Sequence, residues 1–168
     1  VFCVSSETGE GIDAFSEFLQ LFASNFLQRS SDARFRMAVD RTFTLKGIGT
    51  VVTGSVASGS VRVGETCLVT PRGIEVRVRS VRANDCEAEQ AVAGQRCALN
   101  VTAAAEFVQR GDWIVDPALH HPIDRADCRI TVVAREAKPM RSGARAHVHL
   151  GTADVVGSIH VLDGPSIA

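Results

Sequence analysis

Residues 46–65 read KGIGTVVTGSVASGSVRVGE, a ladder in which short valine-rich runs alternate with single glycines. Val52, Val56, Val61 and Val63 carry side chains branched at Cβ, which suit a pleated surface. Gly54, Gly59 and Gly64 stand between them, where a turn or bulge leaves no room for a side chain. The pattern predicts tight, strongly coiled antiparallel sheet of the kind that closes into a small barrel.

Outward from this ladder the apolar period stays at two. Phe35, Met37 and Val39 alternate with Arg36, Ala38 and Asp40, and Val76, Val78 and Ser80 alternate with Arg77, Arg79 and Val81. Further strands are predicted at 50–56, 66–70, 96–102 and 113–116. Turn signals at Pro71-Arg72-Gly73 and Arg110-Gly111-Asp112 separate them. Residues 34–117 are therefore expected to form one β-barrel.

The flanks differ. Val1–Val4 reads as a strand, Ser5–Gly11 as a polar loop, and the following residues to 28 as a helix. Along that helix Ile12, Phe15, Leu19, Phe22 and Phe26 recur every three or four residues, an apolar face that needs something to pack on. A βα unit this short cannot bury it, so residues 1–30 are expected to be the last strand and helix of an α/β domain. Arg29, Ser30, Ser31 and Asp32 form a polar linker, and Pro117–Pro122 a second one. Beyond it, strand pattern returns at Cys128, Ile130 and Val132, at Ala146–Leu150 and at Val155–Leu162. So few strands do not make a self-sufficient domain, and residues 122–168 are expected to be part of a second β-barrel. The fold class expected is mainly β, a Greek-key barrel and a partial second barrel behind a short βα lead-in.

Composition narrows the function classes. With 18 Lys and Arg against 19 Asp and Glu, the chain lacks the charge of a general nucleic-acid binder, and any RNA contact should be local. The five cysteines, Cys3, Cys67, Cys86, Cys97 and Cys128, are odd in number and contain no CxxC pair, which suits a reduced cytoplasmic protein with buried thiols. No apolar run approaches the length of a bilayer span and no signal peptide is recognisable, so no membrane partner is expected. The opening VFCV, without Met and in strand pattern, leads us to expect a piece of a larger protein. No segment fits GxxxxGK[ST], and Gly47-x-Gly49 lacks the strand-to-helix context of a phosphate loop. The chain itself is thus expected to be no enzyme and to hold no cofactor.

Two further groups invite a functional reading. His147 and His149 share a strand face and His160 can lie beside them, but no carboxylate or cysteine stands at ligand spacing in the sequence. That face reads as ordinary and half-exposed, and no metal site is predicted. Arg77, Arg79 and Arg82 could meet RNA phosphates, with a solvated strand face as the simpler account.

The segments RTFTLKGIGTVVTGSVASGSVRVGE (41–65), AGQRCALNV (93–101) and RGDWIVDP (110–117) stand in the order and spacing of the second domain of elongation factor Tu relatives, which the chain resembles. GARAHVHLGTADVVGSI (143–159) is similar to the start of their third domain. VSSETGEGID (4–13) resembles their fifth guanine-nucleotide motif, with Ser5, Ser6 and Glu7 in the turn that touches the base and Ser6 in place of the usual Ala. Within this group, FRMAVDRTFTLKG (35–47) and AGQRCALNV are most similar to the selenocysteine-specific elongation factors, the SelB family. The resemblance implies that Asp40, Arg41 and Arg96 line the pocket for the esterified amino acid. It also implies a parent GTPase that carries GTP and Mg and delivers selenocysteyl-tRNA to the ribosome at a recoded UGA. That parent would read an mRNA hairpin through a C-terminal domain not seen in this sequence.

The chemistry suits such a pocket. A selenol is more acidic than a thiol and ionised at neutral pH, whereas a cysteine thiol with a pKa of about 8.5 is mostly protonated. Two permanently charged guanidiniums would favour the anion, and Asp40 could hold one of them in place. Taken alone, an Asp-Arg pair ending a strand is commonly a solvated ion pair worth under about 1 kcal/mol. Two alternatives remain open. One is another translational GTPase, elongation factor Tu-like or initiation factor gamma-like, whose pocket for a neutral amino acid has no use for both arginines. The other is a GTPase barrel used for protein docking, as in sulfate-activating enzyme subunits, or as a bare scaffold.

Overall fold

The computed structural model describes residues 1–24, 32–133, 139–162 and 166–167. The glycine–valine ladder forms the centre of the sheet, because β1 (Arg36–Leu45) and β2 (Gly49–Ser58) are joined across the Lys46–Ile48 turn. The chain continues through β3 (Ser60–Arg62), β4 (Thr66–Thr70), β5 (Ile74–Ala83), β6 (Cys86–Ala88), β7 (Gln90–Val92), β8 (Arg96–Val101) and β9 (Trp113–Val115). The main sheet runs β4-β9-β1-β2-β8-β5-β6, and β4 also pairs with β5, closing a six-strand barrel with β6 hung on its edge. All of these pairings are antiparallel. β3 and β7 make a small ladder of their own. The non-sequential neighbours β1 with β9 and β2 with β8 are the crossovers of a Greek-key barrel.

Alternation explains the core. Met37, Val39, Val52, Val56, Val69, Val76, Val78, Leu99, Val101 and Ile114 all point inward and are fully or almost fully buried. Each such side chain contributes roughly 1.5–3 kcal/mol of hydrophobic stabilisation. Gly54 is required by proximity, since a Cβ there would run into the Ala38 carbonyl and the Met37 side chain. Between β1 and β2 the backbones are simply too close for anything larger.

The register shifts at three points: at the start of β1, between Arg36 and Met37, Ala57 of β2 is the extra residue, and two further β-bulges lie within β1 and β5. On β1 the register with β2 shifts between Val39 and Arg41, leaving Asp40 as the extra residue. On β5 the register with β8 shifts between Val78 and Ser80, leaving Arg79 as the extra residue. The sequence pattern had Ser80 in step with Val76 and Val78; instead Val81 is buried at 2% exposure and Ser80 faces out. A bulge was not legible in the simple alternation, and the burial of a valine in preference to a serine is its physical reason.

Several expectations for the flanks are corrected. Residues 1–4 are not a strand, because they have no ladder partner among the described residues. Helix α1 spans Ile12–Ser24 and buries no residue. Its apolar face packs on the N-terminal segment, with Phe2 4.9 Å from Phe18 and 5.4 Å from Phe15 between ring centroids. Phe26 and the linker residues Arg29, Ser30 and Ser31 lie outside the described residues. Cys128, Ile130 and Val132 are not in a strand either; Cys128 and Ile130 are exposed, Val132 is half-buried, and the segment has no ladder partner among the described residues. The described residues after 139 form the hairpin β11 (Ala144–Leu150) and β12 (Ala153–Ile159) and the short pair β10 (Met140–Arg141) and β13 (Ser166–Ile167). The 3₁₀ turn Pro117–Leu119, capped by Asp116, stands where a linker was expected. Of the five thiols, Cys67 and Cys97 are buried, whereas Cys3, Cys86 and Cys128 are exposed.

Candidate functional site

Three neighbouring strands bring together residues that are far apart in sequence. In strict alternation Asp40 would face outward and Arg41 would point into the core. The bulge at Asp40 changes this: Arg41 comes opposite Thr53, an outward position, so Asp40 and Arg41 both project from the outer face. Two strands away, Arg96 opens β8 opposite Ser55, and Arg96, Ala98 and Asn100 line the outer face while Cys97, Leu99 and Val101 line the core.

The Asp40 carboxylate is held from two sides. Thr53 Oγ1 donates to Asp40 Oδ1 at 2.6 Å, and Arg96 donates from Nη1 to Oδ2 in an ion pair. Partial burial pushes the carboxyl up, but the bonds from Arg96 and Thr53 and the charges of Arg96 and Arg41 outweigh it and hold Asp40 below its ordinary value of 3.8. Arg96 is pushed up, first by its hydrogen bond to Asp40. The Arg96 side chain remains 55% exposed against 21% for Asp40, so the guanidinium edge not used by Asp40 faces solvent. Two arginines and one carboxylate leave a local charge of +1, with Arg41 on the exposed side.

Beside this group lies an open groove of about 630 Å³ on the same outer face. Phe43, Leu45 and Ile48 from the β1–β2 hairpin form an apolar wall, Arg79 and Arg82 come from β5, and Asn100 from β8. The bulge in β5 is what sets Arg79 and Ser80 side by side there. Asn100 Nδ2 donates to the Ile48 carbonyl at 3.0 Å and ties the hairpin end to β8, while its Oδ1 is buried without a partner. Of the arginines singled out from sequence, Arg77 is turned away to the Gly64 carbonyl and Arg82 donates to the Asp85 carbonyl.

The Ser5–Glu7 turn is separate from this group. Ser5 N–H donates to the Glu10 carbonyl, Gly9 N–H to the Ser5 carbonyl and Thr8 N–H to Ser5 Oγ, which leaves the amides of Ser6 and Glu7 outside the turn's own bonds. Thr53 was missed in the sequence; its outward place between Val52 and Gly54 was the available signal. Also missed was Asp154, which faces the histidine pair across the hairpin: His147 Nδ1 lies 2.8 Å and His149 Nδ1 3.8 Å from Asp154 Oδ1. The hydrogen bond from His147 holds Asp154 below its ordinary value. Among the described residues no group of three or more His, Cys, Asp or Glu side chains is placed to hold a metal ion. No helix among them is long and apolar enough to cross a membrane.

Comparison with known proteins identifies the family of the chain that carries this geometry. The family described as Elongation factor Tu domain 2 matches residues 49–115. The chain is 33% identical over 169 residues to the selenocysteine-specific elongation factor of Haemophilus influenzae, covering 99% of this chain and 26% of that protein. It is 34% identical over 165 residues to the protein of the same name in Escherichia coli, covering 97% and 26% respectively. The crystal structure of a bacterial selenocysteine-specific elongation factor, EF-Sec, superposes with a TM-score of 0.79 at 29% identity, covering 97% of this chain and 27% of that one. The chain thus spans about a quarter of the length of these curated relatives.

Proposed function

The chain is a relative of the selenocysteine-specific elongation factors, with an elongation factor Tu-type second domain at its centre, and from that premise we propose that its barrel binds the aminoacyl end of selenocysteyl-tRNA. The observation that carries this reading is the Asp40–Arg96 pair at the β1 bulge, with Arg41 beside it. Asp40 takes up one face of Arg96 and fixes its orientation. The free edge of Arg96 and the charge of Arg41 then offer an anion two permanent cations within one small area. A selenolate satisfies them, and a seryl hydroxyl does not.

The adjoining groove suits the terminal nucleotide of the same tRNA end. A planar base finds an apolar wall in Phe43, Leu45 and Ile48, and Arg79 offers a cation for phosphate, while Arg82 is engaged with the Asp85 carbonyl and Glu87 and Glu89 line the far side of the groove. The full-length protein would be a GTPase acting with Mg and GTP, with the Ser6 and Glu7 amides at the edge of the guanine. It would work on the ribosome and at an mRNA hairpin. Residues 1–30, 34–117 and 122–168 would be the end of its nucleotide domain, its second domain and part of its third.

The test is an equilibrium titration of the GTP-loaded full-length protein against selenocysteyl-tRNA and seryl-tRNA. Arg96→Ala is expected to weaken selenocysteyl-tRNA binding by about 2 kcal/mol or more, the effect of removing one member of a desolvated charge pair. Seryl-tRNA binding should hardly change. Equal losses for both would mean that Arg96 meets RNA backbone, and the anion-reading idea would fall. No binding of either tRNA by the wild type would favour a protein-docking role for the barrel.

A further inference from the structure

We propose that the turn between β11 and β12 positions the candidate amino-acid site from outside the barrel, through a hydrogen bond from the Thr152 hydroxyl to the backbone that carries Asp40. Thr152 Oγ1 donates to the Val39 carbonyl at 2.5 Å, and Gly111 N–H donates to the same oxygen at 3.1 Å. Both acceptor positions of that carbonyl are therefore filled. The Val39 carbonyl and the Asp40 amide belong to one planar peptide unit, so these two bonds set the plane from which the Asp40 side chain departs.

The location makes this effective. Asp40 is the extra residue of the bulge, where the ladder to β2 is interrupted, and the ladder to β9 ends at the Ala38–Trp113 pair. The ladder lapses at Asp40, and the backbone beside it is held by the Val39 N–H bond to the Asp112 carbonyl, by Gly111 N–H and, from outside the barrel, by the Thr152 hydroxyl. That turn is closely seated. Gly151 has φ +63°, and a Cβ there would come within 2.6 Å of Trp113 Cζ2 and 3.1 Å of Ala38 Cβ. On the other side, a Cβ at Gly111 would meet Ala153 Cα at 3.3 Å. The rest of the hairpin leaves Val148, Leu150, Val155 and Val156 exposed, so among the described residues its turn is where it meets the barrel.

The consequence is a chain of contacts from Thr152 to the Val39 carbonyl, to Asp40 and to Arg96. Thr152 touches no substrate and is a positioning residue. The charged groups that face Asp40 are Arg96 from β8 and Arg41 from β1, with the Thr53 hydroxyl from β2. The inference rests on reading Asp40, Arg41 and Arg96 as the amino-acid site.

The experiment uses the full-length protein with Thr152→Val, Thr152→Ser and Gly151→Ala. The first readout needs no tRNA: the titration of the Asp40 carboxyl, followed by ¹³C NMR on labelled aspartate and assigned with Asp40→Asn. Thr152→Val is expected to move that midpoint up toward an ordinary carboxylate, Thr152→Ser to restore it, and Gly151→Ala, which pushes the turn off Trp113, to act like valine. The second readout is the ratio of Kd values for seryl-tRNA and selenocysteyl-tRNA, expected to fall about three- to tenfold in Thr152→Val, the scale of one lost hydrogen bond coupled to a site. An Asp40 titration unchanged in both Thr152→Val and Gly151→Ala overturns the inference, even if both proteins melt earlier, since then the turn is only structural glue. A wild type without preference between the tRNAs, in which Thr152→Val still shifts Asp40, supports the positioning role while removing the selenocysteine reading.

Discussion

Asp40 shows how much one side chain can decide. It holds Thr53 and Arg96 together across three strands, and its carboxyl sits below the ordinary value of 3.8. A carboxyl depressed in the folded state contributes stability above its unfolded value, and that contribution disappears as the pH falls through the folded one. Asp40→Asn should therefore lower stability at neutral pH and leave it nearly unchanged well below pH 3.8. Because Arg96 is more than half exposed, the effect should be under about 1 kcal/mol. Urea titrations of wild type and variant at neutral and acid pH would measure it, and a difference that persists in acid would mean that Asp40 acts through packing. The buried thiols behave differently. Burial pushes Cys67 and Cys97 up to about 12, so they stay protonated and serve as small core residues. Asp40, Arg41 and Arg96 could be named from the sequence through the family resemblance. Their contact could not, because nothing in the order of residues says that Arg96 starts the strand two places over from β1.

At the scale of the element, the bulges within β1 and β5 are the main devices. Each places a charged residue and its successor on the outer face, Asp40 with Arg41 on β1 and Arg79 with Ser80 on β5, and between them lie the candidate site and its groove. The strands themselves were legible: residues 66–70 as a strand, 96–102 against the observed Arg96–Val101, and 113–116 against Trp113–Val115. The strands β6 and β7 were not, since three-residue segments such as Cys86–Ala88 and Gln90–Val92 carry no readable period. The phase change within β5 supplies a direct check. Val81→Ala should destabilise by about 2 kcal/mol, as a deletion from a packed core, and Ser80→Ala should stay within about 0.5 kcal/mol, as a surface change. Denaturant midpoints decide between this and strict alternation, which demands the reverse order.

At the scale of the whole molecule, burial among the described residues is concentrated in one place. The core residues run from Phe35 to Val115, whereas α1 contributes none and the β11–β12 hairpin exposes most of its apolar side chains. Amide exchange should follow: slowest at Val52, Leu99 and Val101, and faster by orders of magnitude through residues 1–24 and 144–159. Hairpin amides as protected as those of the barrel would mean that the two unfold together, a coupling stronger than the seat of Gly151 and Thr152 suggests. By itself the sequence determined that there is a barrel, roughly where its strands run, and which three residues to examine. The barrel and its strands were readable because alternation of branched and polar side chains is a local property and because the glycines mark where backbones come too close for a Cβ, whereas the three residues were reached through the family resemblance. Only the tertiary structure decided that Asp40 is bulged outward, that Arg96 and Thr53 close on it, and that a turn more than a hundred residues later takes hold of the Val39 carbonyl. Those contacts depend on strand order and register, which arise when distant segments compete to bury the same core, and no short stretch of sequence contains that competition.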